Sequence, residues 1–413
     1  MKIIRLFFKN IKILLFGWGI IFPLSFLVPQ EKNLLLFIGK NEGGFFDNVK
    51  FLYLYLCRLG QNSVDYYFLT EKKHIYEILK RHNLPTVLHP TPKSIYLLLR
   101  ARVLVSSSTK WKKKYKYHLS HRAKKVQLWH GIPLKKIGML IPEVAKCHNS
   151  PAGRLYNAIR GKNHIHDLFV STSEFFTSNV FAKAMRAKKI IETGYPRNDV
   201  FFKEQLDEYD LIEADVKSIS RINKLRRDGF KTVLYAPTYG DPVGNAIKSG
   251  PLNLNELSQF AKKHKLIFVL KFHPSIHCAD EFKSFDNIII YDRTKDIQPL
   301  LKVSDILITD YSSVYMDYLL LDRPIIFFPY NYKEYMEVQG GLLFDYDSMT
   351  PGPKCYSLDQ LQESLINCVV NQTDEFSEKR KEIRKLAFKY QDGKASERIW
   401  DFIKKEYLKI LSE

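Results

Sequence analysis

The sequence predicts an α/β protein built from two similar, doubly wound domains, each with a parallel sheet. Short apolar strands alternate with longer helical patterns along most of the 413 residues, which is typical of parallel α/β architecture. The chain is too long for one compact core and suits two domains plus extensions. A polar, charged stretch without strand character, 203–228, separates the two strand-rich halves.

Apolar runs bounded by polar or turn residues mark the candidate strands. In the first half they are Leu34–Ile38, Val64–Leu69, Thr86–Leu88, Val103–Ser106, Val126–Leu128, Leu168–Ser171 and Ile190–Thr193. In the second half they are Thr232–Tyr235, Leu266–Phe272, Ile288–Tyr291, Ile306–Thr309 and Pro324–Phe328. We therefore expect a first domain over 31–205, a second over 225–390, and a C-terminal helix, 391–413, that packs back on the first domain.

The whole chain has a formal net charge of +20, and the excess of positive charge lies in its N-terminal half. Residues 1–200 hold 34 Lys and Arg against 11 Asp and Glu, whereas residues 201–413 hold 30 against 33. A basic half predicts a polyanionic partner, which is a nucleic acid, an anionic membrane or a phosphate-rich substrate. The densest run, 110–125, interleaves lysines with aromatic residues and fits single-stranded nucleic acid or a membrane interface. Five cysteines without a CxxC pair argue against a disulfide framework and favour a reducing compartment.

The start of the chain combines a basic end with an apolar run. Met1–Lys12 is basic, and Ile13–Val28 contains no charged residue but is interrupted by glycines and Pro23. A spanning helix needs about 20 apolar residues, and no small-residue cleavage site follows. The favoured interpretation of 1–30 is a membrane-associating segment at the interface, with a single span, a cleaved signal or a buried core element as alternatives. This interpretation predicts a peripheral protein on the cytoplasmic face of the cell membrane.

The most informative segment for function is Asp305–Tyr330. An apolar strand leads into Ser312 and Ser313, and a helix that carries Asp317 is predicted to follow. Serines at a helix N terminus present hydroxyls, free N–H groups and the positive end of the helix dipole to one point. Phosphate is the expected ligand. The alternative is that one serine is only a helix N-cap.

Four further segments place polar residues directly after an apolar strand. They are Gln127–Lys135 (QLWHGIPLK), Gly194–Asp199 (GYPRND), Tyr235–Thr238 (YAPT) and Lys271–Pro274 (KFHP). Ligands of parallel sheets bind beyond the carboxyl ends of the strands, so we expect these side chains to meet the two serines in one cleft. Cations and hydroxyls suit a diphosphate, and the imidazoles of His130 and His273 suit proton transfer. Taken singly, a histidine at a strand end is more often a structural hydrogen-bonding residue.

The sequence lacks the signatures of several other kinds of site. It contains no GxxxxGK[ST] phosphate loop, no HExxH motif and no GxSxG elbow. No tight cluster of carboxylates predicts a magnesium site, and His164 with His166 is too isolated to predict a zinc site. We therefore expect neither a metal ion nor another cofactor.

Together the five segments resemble the successive motifs of the CDP-glycerol glycerophosphotransferase family, the teichoic-acid and capsule polymerases and primases. QLWHGIPLK, GYPRND, YAPT, KFHP and TDYSSVYMDYLLLDRPIIFFPY occur in the family's order along most of the chain. The resemblance implies a GT-B fold, in which two Rossmann-like domains face a central cleft. It also implies that an acceptor hydroxyl attacks the β-phosphorus of CDP-glycerol or CDP-ribitol, so that CMP leaves and a phosphodiester forms.

The resemblance further implies roles for single residues. His130 is the expected general base on the acceptor hydroxyl, and His273 is expected to stabilise the diphosphate or to assist the departing CMP. The expected donor contacts are Leu128, Trp129, Gly131, Ile132, Arg197, Pro237, Thr238, Lys271, Phe272, Ser312, Ser313 and Asp317. The expected partners are the CDP-polyol, a polyol-phosphate or glycan-lipid acceptor, and an anionic membrane surface.

Two rival functions remain open to the sequence. A GT-B glycosyltransferase would use the same cleft with a nucleotide-sugar donor in cell-surface polysaccharide synthesis. A nucleic-acid-binding protein would use the basic half and would bind with a steep salt dependence. That second rival leaves the paired serines and the two histidines without a role, so no nucleic-acid partner is expected.

Overall fold

The computed structural model describes residues 11–60, 63–112, 115–161, 165–238, 251–272, 285–339 and 341–410. The chain forms two compact units. Unit 1 comprises Met1–His130, Ile137–Asp199 and Asp392–Glu413, and unit 2 comprises Gly131–Lys136 and Val200–Gln391.

Unit 1 is built on a parallel sheet of seven strands in the order β3-β2-β1-β4-β5-β6-β7. The strands are β1 (Leu34–Ile38), β2 (Asp65–Thr70), β3 (Thr86–Leu88), β4 (Val103–Ser106), β5 (Lys124–Gln127), β6 (Leu168–Ser171) and β7 (Ile190–Glu192). All residues of β1, β4 and β6 are buried, as expected for the inner strands of a parallel sheet. The strand order reverses between β1 and β4, which is the position where such sheets bind ligands.

Helices connect these strands, and residues at some of their ends explain where they begin or stop. Up to β6 they include α1 (Asp47–Leu59), α2 (Lys73–Arg81), α3 (Pro92–Arg100), α4 (Lys116–Leu119), α5 (Pro142–Asn149) and α6 (Pro151–Ile159). Thr91 and Ser94 form a capping box at the start of α3, and Gly60 ends α1 with φ +59°, a conformation that glycine adopts without strain. Glu174–Phe176, Thr177–Phe181 and Ala182–Ala184 form a further helical stretch after β6.

Residues 13–27 form helical turns that pack on the rest of unit 1. Ile13–Ile21 is a π-helix, Phe22–Leu24 is one α-helical turn and Ser25–Leu27 is a 3₁₀ turn. Trp18 Nε1 donates to the Ile159 carbonyl oxygen at 2.8 Å, and the rings of Phe22 and His121 lie with their centroids 4.2 Å apart. Among the described residues, none of the helices is both long and apolar enough to cross a membrane.

Unit 2 contains a second parallel sheet, of five strands in the order β10-β9-β8-β11-β12. The strands are β8 (Lys231–Tyr235), β9 (Leu266–Leu270), β10 (Ile288–Ile290), β11 (Ile306–Thr309) and β12 (Ile325–Phe327). The helices are α7 (Val216–Arg227), α8 (Leu254–Lys263), α9 (Gln298–Val303), α10 (Val314–Tyr318), α11 (Tyr332–Gln339), α12 (Tyr346–Met349), α13 (Leu358–Val369) and α14 (Ser377–Ala387). The core of the unit includes Val233 and Phe268 from the sheet, Leu257 from α8, and Leu361 and Leu365 from α13.

The last helix, α15 (Ala395–Ile403), belongs to unit 1. The carboxylate of Asp199 accepts the N–H groups of Ala395 and Ser396 at 2.9 and 2.8 Å, at the start of this helix. Burial raises the pKa of Asp199 to about 7. The helix buries Ile399 and Trp400, so apolar packing and a capped N terminus hold it in place.

The structure confirms the predicted α/β organisation with parallel sheets. All the predicted strands are present, and most of their residues are buried in the two sheets. One strand differs in a way that matters for the site: β9 ends at Leu270 and not at Phe272. Lys271 and Phe272 therefore lie beyond the strand. His273 itself lies outside the described residues.

Candidate active site

The predicted site residues fall into two groups, one in each unit. Unit 1 carries Leu128, Trp129, His130 and Arg197. Unit 2 carries Gly131, Ile132, Pro237, Thr238, Lys271, Phe272, Ser312, Ser313 and Asp317.

His130 follows β5 on a turn that is fixed by its neighbour Trp129. Trp129 has φ +58°, which is uncommon for a residue other than glycine and needs support from its surroundings. That support comes from the Gln127 side chain, whose Oε1 accepts the Trp129 N–H at 3.0 Å, and from burial of the indole against Phe169. The Trp129 side chain is therefore part of the core of unit 1 and holds the turn that carries His130.

The imidazole of His130 is held in one tautomer. Its Nδ1 lies 3.0 Å from the carbonyl oxygen of Ser107. A carbonyl oxygen only accepts hydrogen bonds, so Nδ1 carries the proton and Nε2 carries the lone pair. Burial, and then the positive charge of Lys40, lower the pKa of His130 to about 4. At neutral pH the ring is uncharged, and Nε2 is able to accept a proton.

A buried ion pair supports the backbone of His130. Arg197 Nη1 donates to Asp47 Oδ1 at 2.9 Å and to the His130 carbonyl oxygen at 2.9 Å. Lys40 lies beside the second oxygen of the same carboxylate, with Nζ 3.5 Å from Asp47 Oδ2. Burial alone would raise the pKa of Asp47, but Arg197 and then Lys40 outweigh burial and the pKa is lowered. Asp47 is therefore an anion at neutral pH, and Arg197 positions His130 through its carbonyl group.

Asn48, the next residue of α1, joins the same two loops. Its Nδ2 donates to the carbonyl oxygens of Leu128 and Trp129 at 3.2 and 3.0 Å. Its Oδ1 accepts the N–H of Arg197 at 3.2 Å. The first turn of α1 therefore connects the turn after β5 to the loop after β7. Leu128 is fully buried, and its expected donor contact, like that of Arg197, stays a prediction.

In unit 2, Asp310 connects the loops that follow β8 and β11. Its Oδ1 and Oδ2 lie 2.8 and 3.0 Å from the Thr238 backbone nitrogen, whose N–H they accept. Thr309 Oγ1 donates to the Ala236 carbonyl oxygen at 2.7 Å, which adds a second bond between the loops. Burial raises the pKa of Asp310 to about 6. The YAPT and TDYSS segments thus form one hydrogen-bonded arrangement at the carboxyl edge of this sheet.

The paired serines lie at the start of α10, as the sequence predicts. Ser313 is the N-cap residue, but its hydroxyl makes no capping hydrogen bond. The structure therefore does not support the alternative that the Ser313 hydroxyl caps the helix. Both serines are partly exposed. Asp317 has a different environment: its side chain is 2% exposed, and Oδ2 accepts the Gln298 Nε2–H at 3.3 Å.

Lys271, Phe272 and Ile132 lie deeper in unit 2. Lys271 Nζ donates to the Asp292 carbonyl oxygen at 3.0 Å, and burial lowers the pKa of the ammonium group to about 8. Phe272 belongs to the hydrophobic core beside Tyr235, and Ile132 is fully buried. Their expected donor contacts stay predictions, whereas partly exposed Pro237 lies next to Thr238 on the loop after β8.

Several residues that build these arrangements were not predicted from the sequence. They are Lys40, Asp47, Asn48, Ser107 and Asp310. A usable signal existed for two of them, because Lys40 lies two residues after the end of β1, next to Gly39, and Asp310 directly follows β11. Within the described ranges, no group of three or more His, Cys, Asp and Glu side chains is placed to hold a metal ion.

Comparison with known proteins identifies the family of the chain. Residues 20–405 match the family model described as CDP-glycerol:poly(glycerophosphate) glycerophosphotransferase. The chain is 31% identical to the teichoic acid glycerol-phosphate transferase of Staphylococcus aureus over 383 residues, which cover 89% of this chain and 92% of that protein. It is 29% identical to the teichoic acid glycerol-phosphate primase of Bacillus subtilis, over 83% of this chain and 80% of that protein.

A solved structure shows the same fold. A variant of the wall teichoic acid polymerase TagF superposes with a TM-score of 0.71 at 22% identity, over 99% of this chain and 98% of the other. The expected family resemblance and the expected α/β fold with parallel sheets are confirmed. The chain is therefore a transferase, and it belongs to the CDP-glycerol:poly(glycerophosphate) glycerophosphotransferase family.

Proposed function

We propose that this protein transfers glycerol phosphate from CDP-glycerol to a hydroxyl group of a teichoic-acid or capsular-polymer acceptor and releases CMP. The observation that carries the proposal is the family match along residues 20–405, which contains all five motifs. CDP-ribitol is the alternative donor of the same class, since ribitol-phosphate polymerases of Staphylococcus aureus are among the relatives, at 26% identity.

In the proposed reaction His130 is the general base. Its Nε2 takes the proton of the acceptor hydroxyl, whose oxygen attacks the β-phosphorus of the donor. The bond between that phosphorus and the oxygen bridging to CMP breaks, so a phosphodiester forms and CMP leaves. With a pKa of about 4, the imidazole of His130 is by itself a weak base. The negative charge of bound phosphates stabilises the imidazolium, so His130 becomes a stronger base when substrates are present.

The proposed donor site is the carboxyl edge of the sheet in unit 2. Thr238, Ser312 and Ser313 lie on the loops that Asp310 and Thr309 connect, so their relative positions are set before a ligand binds. Phosphoryl transfer depends mainly on positioning and on neutralising charge. Neutral hydroxyl and N–H donors at the end of β11 suit the diphosphate oxygens.

A donor panel tests the proposal. Purified protein is incubated with an acceptor and with CDP-glycerol, CDP-ribitol, UDP-sugars or CMP-sugars, and the nucleotide product is quantified. We expect CMP only from the CDP-polyols. Nucleotide release only from a sugar donor would show that the protein is a glycosyltransferase and would overturn the proposal.

We also propose that the protein acts as a peripheral protein on the cytoplasmic face of the membrane. The N-terminal segment 13–27 supports this, because one side packs on unit 1 while several large apolar side chains face solvent. They are Leu14, Leu15, Phe16, Ile20, Leu24, Phe26 and Leu27. Such a face, preceded in the sequence by the basic residues of 1–12, suits an anionic lipid surface.

Sedimentation with anionic vesicles tests the membrane proposal. We expect the triple variant Leu15→Gln, Phe16→Gln, Leu27→Gln, or deletion of 1–28, to reduce sedimentation while activity on a soluble acceptor is kept. Ile95→Gln, at an exposed apolar position of α3, is the matched control and should sediment like the wild type. Full sedimentation of the triple variant would exclude the segment as the anchor and would favour the basic run 110–125.

A further inference from the structure

We propose that Lys40, in the loop between β1 and α1, binds the phosphate group of the terminal unit of a polyol-phosphate acceptor. The inference rests on the proposed function, because it concerns which acceptor presents its hydroxyl to His130. It assigns acceptor recognition to unit 1 and to a residue outside the five motifs.

The first support is the position of the loop that carries Lys40. It leaves the carboxyl end of β1, and the strand order reverses between β1 and β4. His130 is tied to the neighbouring loop after β4 by its bond to the Ser107 carbonyl oxygen. Because ligands of such sheets bind where the strand order reverses, Lys40 and His130 lie at the part of unit 1 that is suited to a substrate.

The second support is that this loop has a fixed course. A Cβ atom on Gly39 would lie 1.9 Å from the Gly44 carbonyl oxygen, and one on Gly43 would lie 2.5 Å from Thr70 Cα. Gly43 also has φ +89°, and its carbonyl oxygen accepts the Thr70 hydroxyl at 2.7 Å. Only glycine fits at these points, so the tight turn places Lys40 at the tip of β1.

The third support is the balance of charge around His130. The charged side chains that act most strongly on its imidazole are Lys40, Asp47 and Arg197, two cations and one anion. Asp47 Oδ1 bonds to Arg197, whose side chain is 11% exposed, whereas the Lys40 side chain is 26% exposed. Lys40 and Arg197 both pair with Asp47, and Lys40 is the cation that a ligand reaches more easily.

A partly exposed cation beside a general base matches one kind of acceptor. A chain that ends in glycerol phosphate carries its reactive hydroxyl and its phosphodiester on the same terminal unit. When Nε2 of His130 holds the hydroxyl, the phosphodiester anion lies one glycerol unit away, and Lys40 is the more exposed of the two cations that act on His130. A neutral glycan end offers the hydroxyl without the anion. Lys40 thus favours extension of an existing polyol-phosphate chain over addition to a neutral end.

The test compares Lys40→Met and Lys40→Arg with the wild type on two acceptors, one that ends in glycerol phosphate and one that ends in a neutral sugar. Lys73→Met is the matched control, since Lys73 is exposed at the first turn of α2, which follows β2 of the same sheet. CMP release is measured against the concentration of each acceptor and of CDP-glycerol. Thermal unfolding verifies that each variant is folded.

For Lys40→Met we expect the KM of the phosphate-ended acceptor to rise at least ~10-fold, the scale of one lost hydrogen bond to a charged group. We expect less than ~3-fold change on the neutral-ended acceptor and in the KM of CDP-glycerol, and Lys40→Arg should recover most of the loss. An equal loss on both acceptors would mean that Lys40 only balances Asp47 and would overturn the inference. A higher KM for CDP-glycerol alone would assign Lys40 to the donor and would overturn it as well.

A binding measurement separates this inference from the proposed function. Titration of the wild type and of Lys40→Met with glycerol 3-phosphate, followed by calorimetry, needs no turnover. We expect binding to the wild type that weakens at least ~10-fold in the variant. Equal binding to both proteins contradicts the inference even if the wild type releases CMP from CDP-glycerol. Absence of CMP release with Lys40-dependent binding would instead contradict the proposed function.

Discussion

Removing one partner of the buried pair of Arg197 and Asp47 should have a large, measurable effect on the stability of unit 1. Arg197→Met removes the guanidinium that bonds to Asp47 Oδ1 and to the His130 carbonyl oxygen, each at 2.9 Å. The side chains of Arg197 and Asp47 are only 11% and 6% exposed. The substitution therefore leaves a carboxylate buried with Lys40 as its remaining cation, at 3.5 Å.

The magnitude follows from distance and burial. At 2.9 Å and an effective dielectric constant of about 20, two unit charges attract by about 6 kcal/mol before desolvation is subtracted. Removing one partner of a buried pair costs about 3–5 kcal/mol. Because Lys40 still compensates part of the charge of Asp47, we expect the lower end of that range, about 3 kcal/mol in the free energy of unfolding of unit 1.

Tryptophan fluorescence during urea unfolding measures this effect in unit 1 alone. The chain has four tryptophans, and all of them, Trp18, Trp111, Trp129 and Trp400, lie in unit 1. Lys188→Met is the matched control: its Nζ lies 2.9 Å from Asp167, the same separation as in the buried pair, but its side chain is 62% exposed. An exposed pair contributes about 0.2–1 kcal/mol, so the control should lose no more than that.

A double variant separates the interaction energy of the pair from the individual effects of the two substitutions. Asp47→Asn with Arg197→Met should be less destabilised than the sum of the two single variants, because neither charge is left unpaired. If Arg197→Met shifts the fluorescence transition no more than Lys188→Met does, the guanidinium does not stabilise unit 1, and the argument that it positions His130 fails.

The other predictions concern catalysis and pH. His130→Ala should lower the rate of CMP release at least ~100-fold, the scale of lost general-base catalysis, and near-normal turnover would show that His130 has no role in the mechanism. We expect the same loss for His273→Ala, and near-normal turnover would exclude His273 in the same way. Asp310→Ala should raise the KM of CDP-glycerol at least ~10-fold, because the Thr238 N–H loses its carboxylate acceptor. A normal KM would contradict the proposal that Asp310 positions the loops of the donor site. The pKa of Asp199 is raised to about 7, so its contribution to stability is present below pH ~4 and is lost as the pH rises through about 7. The free energy of unfolding of Asp199→Asn, relative to the wild type, should increase between pH 4 and 8 by up to about 4 kcal/mol; a difference that does not change with pH would show that the carboxyl group is not perturbed.

The strands were predictable from the sequence because of how a parallel sheet is buried. Strands such as β1 and β6 are covered on both faces, so all their side chains are buried, and an apolar run is the necessary result. The position of His130 beyond a strand was also predictable, since the apolar run before it predicts the strand and the glycine and proline after it predict a turn; β5 ends at Gln127. Ser312 and Ser313 lie at the start of α10 as expected, because the apolar run before them and the helical pattern after them fix the boundary.

The support of His130 was not predictable, because it depends on contacts between distant parts of the chain. Arg197 and Asp47 are 150 positions apart, and nothing in the local sequence of either residue indicates the other. Asp317 shows a second limit. The sequence places it on a helix, but only the packing of α10 shows that its carboxylate is buried against Gln298. Sequence patterns locate the elements, whereas the partners of buried polar groups depend on tertiary structure.

The central claim is that this chain forms a phosphodiester from CDP-glycerol and a hydroxyl group. Phosphorus NMR of a reaction with wild-type protein, CDP-glycerol and an acceptor that ends in glycerol phosphate observes both products at once. We expect CMP and a new phosphodiester signal to grow in equal amounts, and neither to grow above background with His130→Ala. CMP without a matching phosphodiester would identify a hydrolase, and an unchanged donor signal would show that CDP-glycerol is not the substrate.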